Sequence, residues 1–428
     1  MSKLYATLYF MTMSCWIQAH TFKIESIHTV SKTNPDITYT KIHDAQPFEY
    51  TPFPLSKFPE LQPHDGIFTE TFIVQIPNGQ VCSLYGWIKK DNTIISEFIP
   101  PYFSYTTQMR LLDYTPFEHV KKIKGKVAVI TLGCAACFGH WIYNILGRLA
   151  LLELSGVAYD YLYVTNDQPY MKDTLALWGI DPAKIITPSG DTHFIEADEL
   201  IVPSLIGLRT PKPHEYPLTW VPLERYCQKW NIDPTTVSLP YNTINKDIDI
   251  LPADVPVENY FLNWTPLVGS YFSPWVVDYL RNKFLPLTTK QDFNFSKKVF
   301  ISRKDSSNRE IMNEEEVFEV FKAKGFKRYV LGQMSMLEQI ALFNQADIIV
   351  AAHGSGLNHQ MFCRPGTTIV EIYQHRSDCC FYYLSQVVGL QHHCLQVTEF
   401  KHIWGFYHTG IPPIIFQRFI DKHPALFD

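Results

Sequence analysis

No long run of lysine and arginine occurs in the 428 residues, and 42 acidic side chains outnumber 37 basic ones, giving a formal net charge of -5. That excludes the positive coat with which proteins hold nucleic acid. A dense cysteine ladder is also missing. The 9 Cys are an odd number scattered along a long chain, which excludes a small disulfide-stapled domain and leaves buried thiols, with room for one or two disulfides. Cys134 and Cys137 make one CxxC, but no second pair completes a zinc ribbon, and the adjacent Cys379 and Cys380 are poorly placed to pair with each other. Internal repeats and low-complexity tracts are absent. Beyond the N-terminus no stretch is apolar over the about 20 residues that a membrane helix needs. Charged residues make up only 18% while 46% are hydrophobic, a balance that argues against disorder and supports sizeable cores. The length suits two domains or one large doubly wound unit.

What is present begins with the first twenty residues. Lys3 supplies a minimal positive start, Leu4 to Ala19 is largely apolar, and Ile17-Gln18-Ala19 resembles a cleavage site. Residues 1–20 are therefore expected to be a signal peptide. An uncleaved anchor, which would associate the protein with a membrane, or a buried N-terminal segment are the alternatives. Asn263-Trp264-Thr265 and Asn294-Phe295-Ser296 fit glycosylation sequons. Together these point to the endoplasmic reticulum or Golgi lumen, or to export.

Residues 21–265 form the expected first domain. It opens with a β-rich subregion in which Thr69 to Ile76 is a strand, Pro77-Asn78-Gly79 a turn and Gln80 to Trp87 the return strand. From about residue 125 helices and strands alternate: a strand at Lys126 to Leu132, a long helix from Gly139 to Leu154, then strands near Tyr161, Lys184 and Glu199 with a helix at Met171 to Leu177. That is a Rossmann-like half. Residues 266–385 repeat the pattern more clearly. Strands start at Lys297, Phe326, Asp347 and Thr368, and helices begin at capping boxes, Asn313 with Glu316 and Ser335 with Glu338. Residues 386–428 are expected to pack back on the first domain. The fold class is α/β: two Rossmann-like domains facing a cleft, the GT-B architecture.

The chemistry concentrates in the second half. His353-Gly354-Ser355-Gly356 follows a buried strand and opens a helix, with Asn358 in its first turn. Glycines admit a ligand close to the backbone, and amides at a helix start favour an anion. A diphosphate fits there without a metal. The loop is not a hydrolase elbow, because His353 and Leu357 stand where glycines are needed. Arg303 and Lys304 follow another strand of the same half and Arg309 lies in the next loop; an Arg there can grip phosphate through two hydrogen bonds. Glu371, near the end of a strand, can accept hydrogen bonds from ribose hydroxyls or be a buried, paired carboxylate. Asp247-Ile248-Asp249 is a metal-binding triplet in form, but it lies in a proline-flanked connector rather than after a hydrophobic strand, so no metal or other cofactor is expected.

The text FISRKDSSNREIMNEEEVF, then GF, then LEQIALFNQADIIVAAHGSGLNHQMFCRPGTTIVEI, resembles glycosyltransferase family 61. That family includes plant protein xylosyltransferases, arabinoxylan xylosyl- and arabinosyltransferases, and animal EGF-domain O-GlcNAc and O-mannose GlcNAc transferases. Gly139-His140-Trp141 with Arg148-Leu149 is similar to the family's His-Trp helix. The resemblance covers roughly residues 125 to 375. It implies inversion at the anomeric carbon, no obligatory metal, and a nucleotide-sugar donor, UDP-linked, held by Arg303 and the His353 to Asn358 loop. The acceptor would be a hydroxyl of a glycan or glycoprotein. Ser355 stands where the family commonly has Ala, Asn358-His359 where it has Thr-Asn or similar, and Asn144 near a position often acidic. His140 is the candidate base for the acceptor hydroxyl, with a helix-capping role as its rival. The competing functions are an inactive glycan- or nucleotide-sugar-binding relative, and an exported scaffold protein.

Overall fold

The computed structural model describes residues 23–54, 64–83, 86–99, 120–133, 136–165, 168–210, 271–306, 309–373, 379–397 and 410–427. The expected leader, Cys134, the Asp247 to Asp249 triplet and the Asn263 sequon lie outside them. Among the described residues no helix is long and apolar enough to cross a membrane.

The chain builds two large sheets. In the second, all five strands are parallel, in the order Lys327–Val330, Lys298–Ser302, Ile348–Ala352, Thr368–Tyr373, Gln391–Gln396. Counted along the chain this is 2-1-3-4-5, a doubly wound order. Ile348–Ala352 and Thr368–Tyr373 are buried along their whole length, as strands covered on both faces must be. The pleat sorts their side chains. Phe300, Val350, Val370 and Ile372 face helices Glu314–Lys322 and Pro413–Lys422, whereas Val299, Ile301, Ile349 and Ile369 face helix Met336–Gln345.

The first sheet has ten strands. Its parallel part runs Phe194–Pro203, Lys121–Val129, Tyr161–Tyr163, Ile185–Ile186, again the order of a Rossmann half, 3-2-1-4 counted from the edge. Arg148 pins its central strand ends. Fully buried on helix Leu146–Ser155, it donates from Nη1 to the Thr131 carbonyl at 2.7 Å and from Nη2 and Nε to the Pro203 carbonyl at 2.9 and 3.1 Å. A third sheet of three short strands, Gln46–Glu49, Asp65–Phe68 and Arg209–Thr210, completes the β-rich subregion.

Three expectations change. Gln80–Cys82 does not fold back on Thr71–Pro77; both lie antiparallel along the same partner, Phe194–Pro203. Asn78, at φ 52, puckers the chain without reversing it, and Gly79 is needed because a Cβ there would sit 2.8 Å from Leu200 Cβ. The return strand is Trp87–Lys90. Asn313 does not cap its helix: its Nδ2 donates to the Ile411 carbonyl at 2.9 Å, and the Ile411 amide donates back to Oδ1 at 2.8 Å. The Ser335–Glu338 box forms as expected. Finally, of the segment 386–428, residues 391–397 and 410–427 lie with the second sheet, while Gln386 hydrogen-bonds Thr51 of the first domain. Gln391–Gln396 extends the edge of the second sheet, and Phe416, Ile420 and Phe427 cover Phe321.

The two halves are braced together. Helix Pro274–Thr288 contributes Val276, Leu280 and Phe284 to one apolar cluster that holds Ile142 and Leu149 of the first half and Ile340 and Met361 of the second. Tyr50 of the N-terminal subregion stacks on Tyr383 at 4.8 Å. Phe138 stacks on His359 at 4.8 Å and 17°. His359 Nδ1 contacts the Gly356 carbonyl, its Nε2 is buried with no hydrogen-bond partner among the described residues, and burial pulls its pKa down to about 4.

Two predictions follow from this packing. Arg148→Met orphans the Thr131 and Pro203 carbonyls, at about 1–3 kcal/mol each, so urea titration is expected to show a loss of about 2–6 kcal/mol. His359 is neutral in the fold but takes a proton in the unfolded chain, so its contribution is present above about pH 6.5 and drains away as the pH falls toward about 4. The loss is on the order of 3 kcal/mol, and His359→Phe is expected to flatten the acid side of a stability-against-pH curve.

Candidate functional site

In an open parallel sheet the crossovers leave in opposite directions at one point, and the crevice outside the strand ends there is where ligands bind. In the second sheet that point lies between Lys298–Ser302 and Ile348–Ala352, which are direct neighbours. The residues that follow these two strands are Arg303 and His353-Gly354. The topology thus joins two segments that lie fifty residues apart in the chain.

Arg303 lies flat against Gly354. A Cβ added at Gly354 would collide with the guanidinium, so this glycine is required by close approach and not by its backbone angles, which are extended. The loop is held from beneath. Glu314, itself buried, accepts from Ser302 Oγ at 2.7 Å and from the Arg303 amide at 3.3 Å. Arg303 Nη2 donates to Ser306 Oγ at 2.7 Å. Burial, with the positive charge of Arg309 beside it, pulls the Arg303 pKa down to about 10 against the opposing influence of Asp305. Arg303 therefore stays charged at neutral pH. Arg309 holds a left-handed backbone, φ 60, which is rare for a side chain of its size and is the kind of strain that collects at binding sites. Two guanidinium groups brought together at a strand end suit a multiply charged anion. Lys304 does not join them: its ammonium pairs with Glu315, which also pairs with Arg328 at 2.8 Å.

The glycine loop continues as the expected short helix, a 3-10 helix over Ser355–Phe362. Asn358 is buried and turns inward, donating to the Ser355 carbonyl at 2.8 Å. Gly356 packs where a Cβ would meet Leu331 Cδ1 at 2.9 Å. Arg281, from helix Pro274–Thr288, donates to the Met361 and Cys363 carbonyls and so fixes the far end of this helix.

Glu371 is not open to a ribose. It is fully buried, and its oxygens meet His353 Nδ1 at 2.5 Å and the Tyr373 hydroxyl at 2.7 Å, with His392 Nε2 3.0 Å away but off the line of a hydrogen bond. Burial alone would raise its pKa; the charges and contacts of His353 and His392 outweigh that and hold it at about 2. Glu371 is the partner of His353.

The first half supplies His140. It opens a π-helix, His140–Ile145, that runs into helix Leu146–Ser155. Such turns are rare and gather at functional sites. Trp141 is locked by Thr174 at 2.8 Å, and the Tyr143 hydroxyl accepts from the Ser273 amide at 2.6 Å. Asn144 Nδ2 donates to the Ile206 carbonyl at 3.1 Å, which turns Oδ1 towards His140 Nδ1, 3.0 Å away. That arrangement puts the proton on Nδ1 and the lone pair on Nε2. Burial lowers the His140 pKa, keeping the ring neutral. A Cβ on Gly139 would lie 3.0 Å from Asn358 Nδ2 and 3.6 Å from Ser355 Cβ. The His-Trp helix therefore begins against the glycine loop, and the candidate base and candidate anion site are neighbours.

Sequence reasoning missed Glu314, His392 and Tyr373 as supports of this site. Their signals differ: Tyr373 lies two residues from Glu371 on the same strand face, Glu314 reaches Ser302 and Arg303 across one loop, and only His392 depends on strand order.

Among curated proteins none matches the sequence. The solved structure of E. coli heptosyltransferase WaaC with ADP is similar to this chain at 10% identity with a TM-score of 0.30, over 71% of this chain and 99% of that one. The family model described as Glycosyltransferase 61 matches residues 138–370, more than half of the chain, from the start of the His-Trp helix through Arg303 and the glycine loop. The protein belongs to glycosyltransferase family 61, and it is a glycosyltransferase with two Rossmann-like halves, as in the GT-B architecture.

Proposed function

We propose that the protein is an inverting, metal-independent transferase that moves a sugar from a UDP-linked donor to a hydroxyl of a glycan or glycoprotein. The observation that carries this reading is the half-buried Arg303 guanidinium against the Gly354 backbone, with Arg309 beside it, at the switch point of the second sheet. These fixed positive charges and the amides of the glycine loop can stabilise the diphosphate as it leaves, the task a metal performs elsewhere. His140, held neutral by burial and oriented by Asn144, accepts the acceptor proton while the hydroxyl oxygen bonds to the anomeric carbon and the bond to the diphosphate breaks. A single displacement of this kind inverts the anomeric centre. The reading extends to a secretory lumen: Asn294 of the second sequon is exposed on the surface.

With a panel of UDP-sugars in EDTA, one donor is expected to release UDP, and Arg303→Ala to lower kcat by about 10²–10³-fold. A strict requirement for Mn²⁺ would overturn the metal-free mechanism. His140→Ala is expected to cost about 10²–10⁴-fold. Because the His140 pKa is lowered, the wild-type kcat/KM should fall only below about pH 6.5, and that acid limb should vanish from the variant's profile.

A further inference from the structure

The mechanism above leaves the buried His353–Glu371 pair without a role. Glu371 engages one ring nitrogen of His353, Nδ1, at 2.5 Å. Nε2 is the nitrogen left over, and among the described residues it has no protein partner. His353 itself sits at the strand end beside Gly354, against which the Arg303 guanidinium lies. The surrounding titratable and charged groups are Arg303 and Arg309 from the loop after Lys298–Ser302, Tyr373 beside Glu371, His392 and Cys394 on Gln391–Gln396, and Cys379 and Cys380 at the start of helix Cys380–Val388.

We propose that His353 is a donor-contacting catalytic residue whose contact is proton-coupled: a nucleotide diphosphate bound at the switch point draws one proton from solvent onto the His353–Glu371 pair. This rests on the reading of that point as the diphosphate site. In its neutral form His353 keeps Nδ1–H on Glu371 and turns an Nε2 lone pair to its ligand, which repels phosphate oxygens. Adding a proton gives an imidazolium that donates from Nε2 to the diphosphate while Nδ1–H stays on the Glu371 carboxylate. The buried carboxylate makes that charge tolerable, because it forms an internal ion pair with it. The proton returns to solvent when the nucleotide leaves. Glu371 is thus a positioning residue that sets both the tautomer and the charge of His353.

The test is calorimetric titration of UDP into the full chain at about pH 8, where the UDP phosphates are already ionised because their last pKa is near 6. Two buffers of different ionisation heat then report the protons exchanged. Wild type is expected to take up close to one proton per UDP, and its affinity to fall by up to about tenfold per pH unit on the alkaline side. Glu371→Gln should still bind UDP, more weakly, with uptake near zero, and His353→Gln should behave alike if the first variant does not fold. Wild-type binding without proton uptake would overturn the coupling and leave the donor site intact. Uptake that survives His353→Gln but disappears in His392→Gln would overturn the assignment to His353. Absence of UDP binding at any pH would overturn the diphosphate site and this proposal with it.

Discussion

A half-buried positive charge pressed against a bare backbone needs an architecture around it, and most of the second half can be understood as that architecture. Arg303 lies on a bare glycine backbone at the one place where neighbouring parallel strands send their crossovers apart. The strand order brings Gly354 to it, Glu314 fixes the turn that carries it, and Arg281 anchors the helix that follows the glycine loop. Without a side chain at residue 354 the guanidinium has room; with one, the arginine or the loop must move. Burial of such a group is costly unless compensated, and a diphosphate is a ligand that compensates it.

The first half uses the same cation chemistry for a different end. Arg148 also sits at the divergence point of a parallel sheet, yet its donors are spent on the Thr131 and Pro203 carbonyls. One arginine is a structural clamp and the other lies against a bare glycine backbone. The distinction lies in what surrounds each: carbonyls converge on Arg148, whereas a second guanidinium and a glycine backbone lie next to Arg303. The residue type is common to both, and the packing decides its role.

How far the sequence could be read depended on the range of the interaction. Runs such as Asp347 to Ala352 and Thr368 to Tyr373 announce buried strands because their own side chains specify them, and the Ser335–Glu338 box closes between residues three apart. Asn313 and Glu316 have the same spacing, but Ile411, almost a hundred residues away, takes the Asn313 side chain. Glu371 looked open to ribose for a similar reason, since nothing near it in the chain reveals that His353 and His392 close around it. Arg303 and the glycine loop were legible as strand-end pieces, each following a hydrophobic strand. Their contact was not, because it depends on strand order, which is fixed only when distant segments pair.

The three braces between the halves have a mechanical consequence. GT-B-type clefts invite the picture of two rigid bodies swinging on a hinge. Here the apolar cluster around helix Pro274–Thr288 runs from the first sheet to the helices that cover the second, and the Tyr50–Tyr383 and Phe138–His359 stacks tie the halves at two further places. A swing wide enough to part the sheets would expose that shared interior to water. Substrate entry and product escape must then be managed by segments at the rim, and the molecule should melt as one cooperative body, so that a ligand gripped by the second half also stabilises the first.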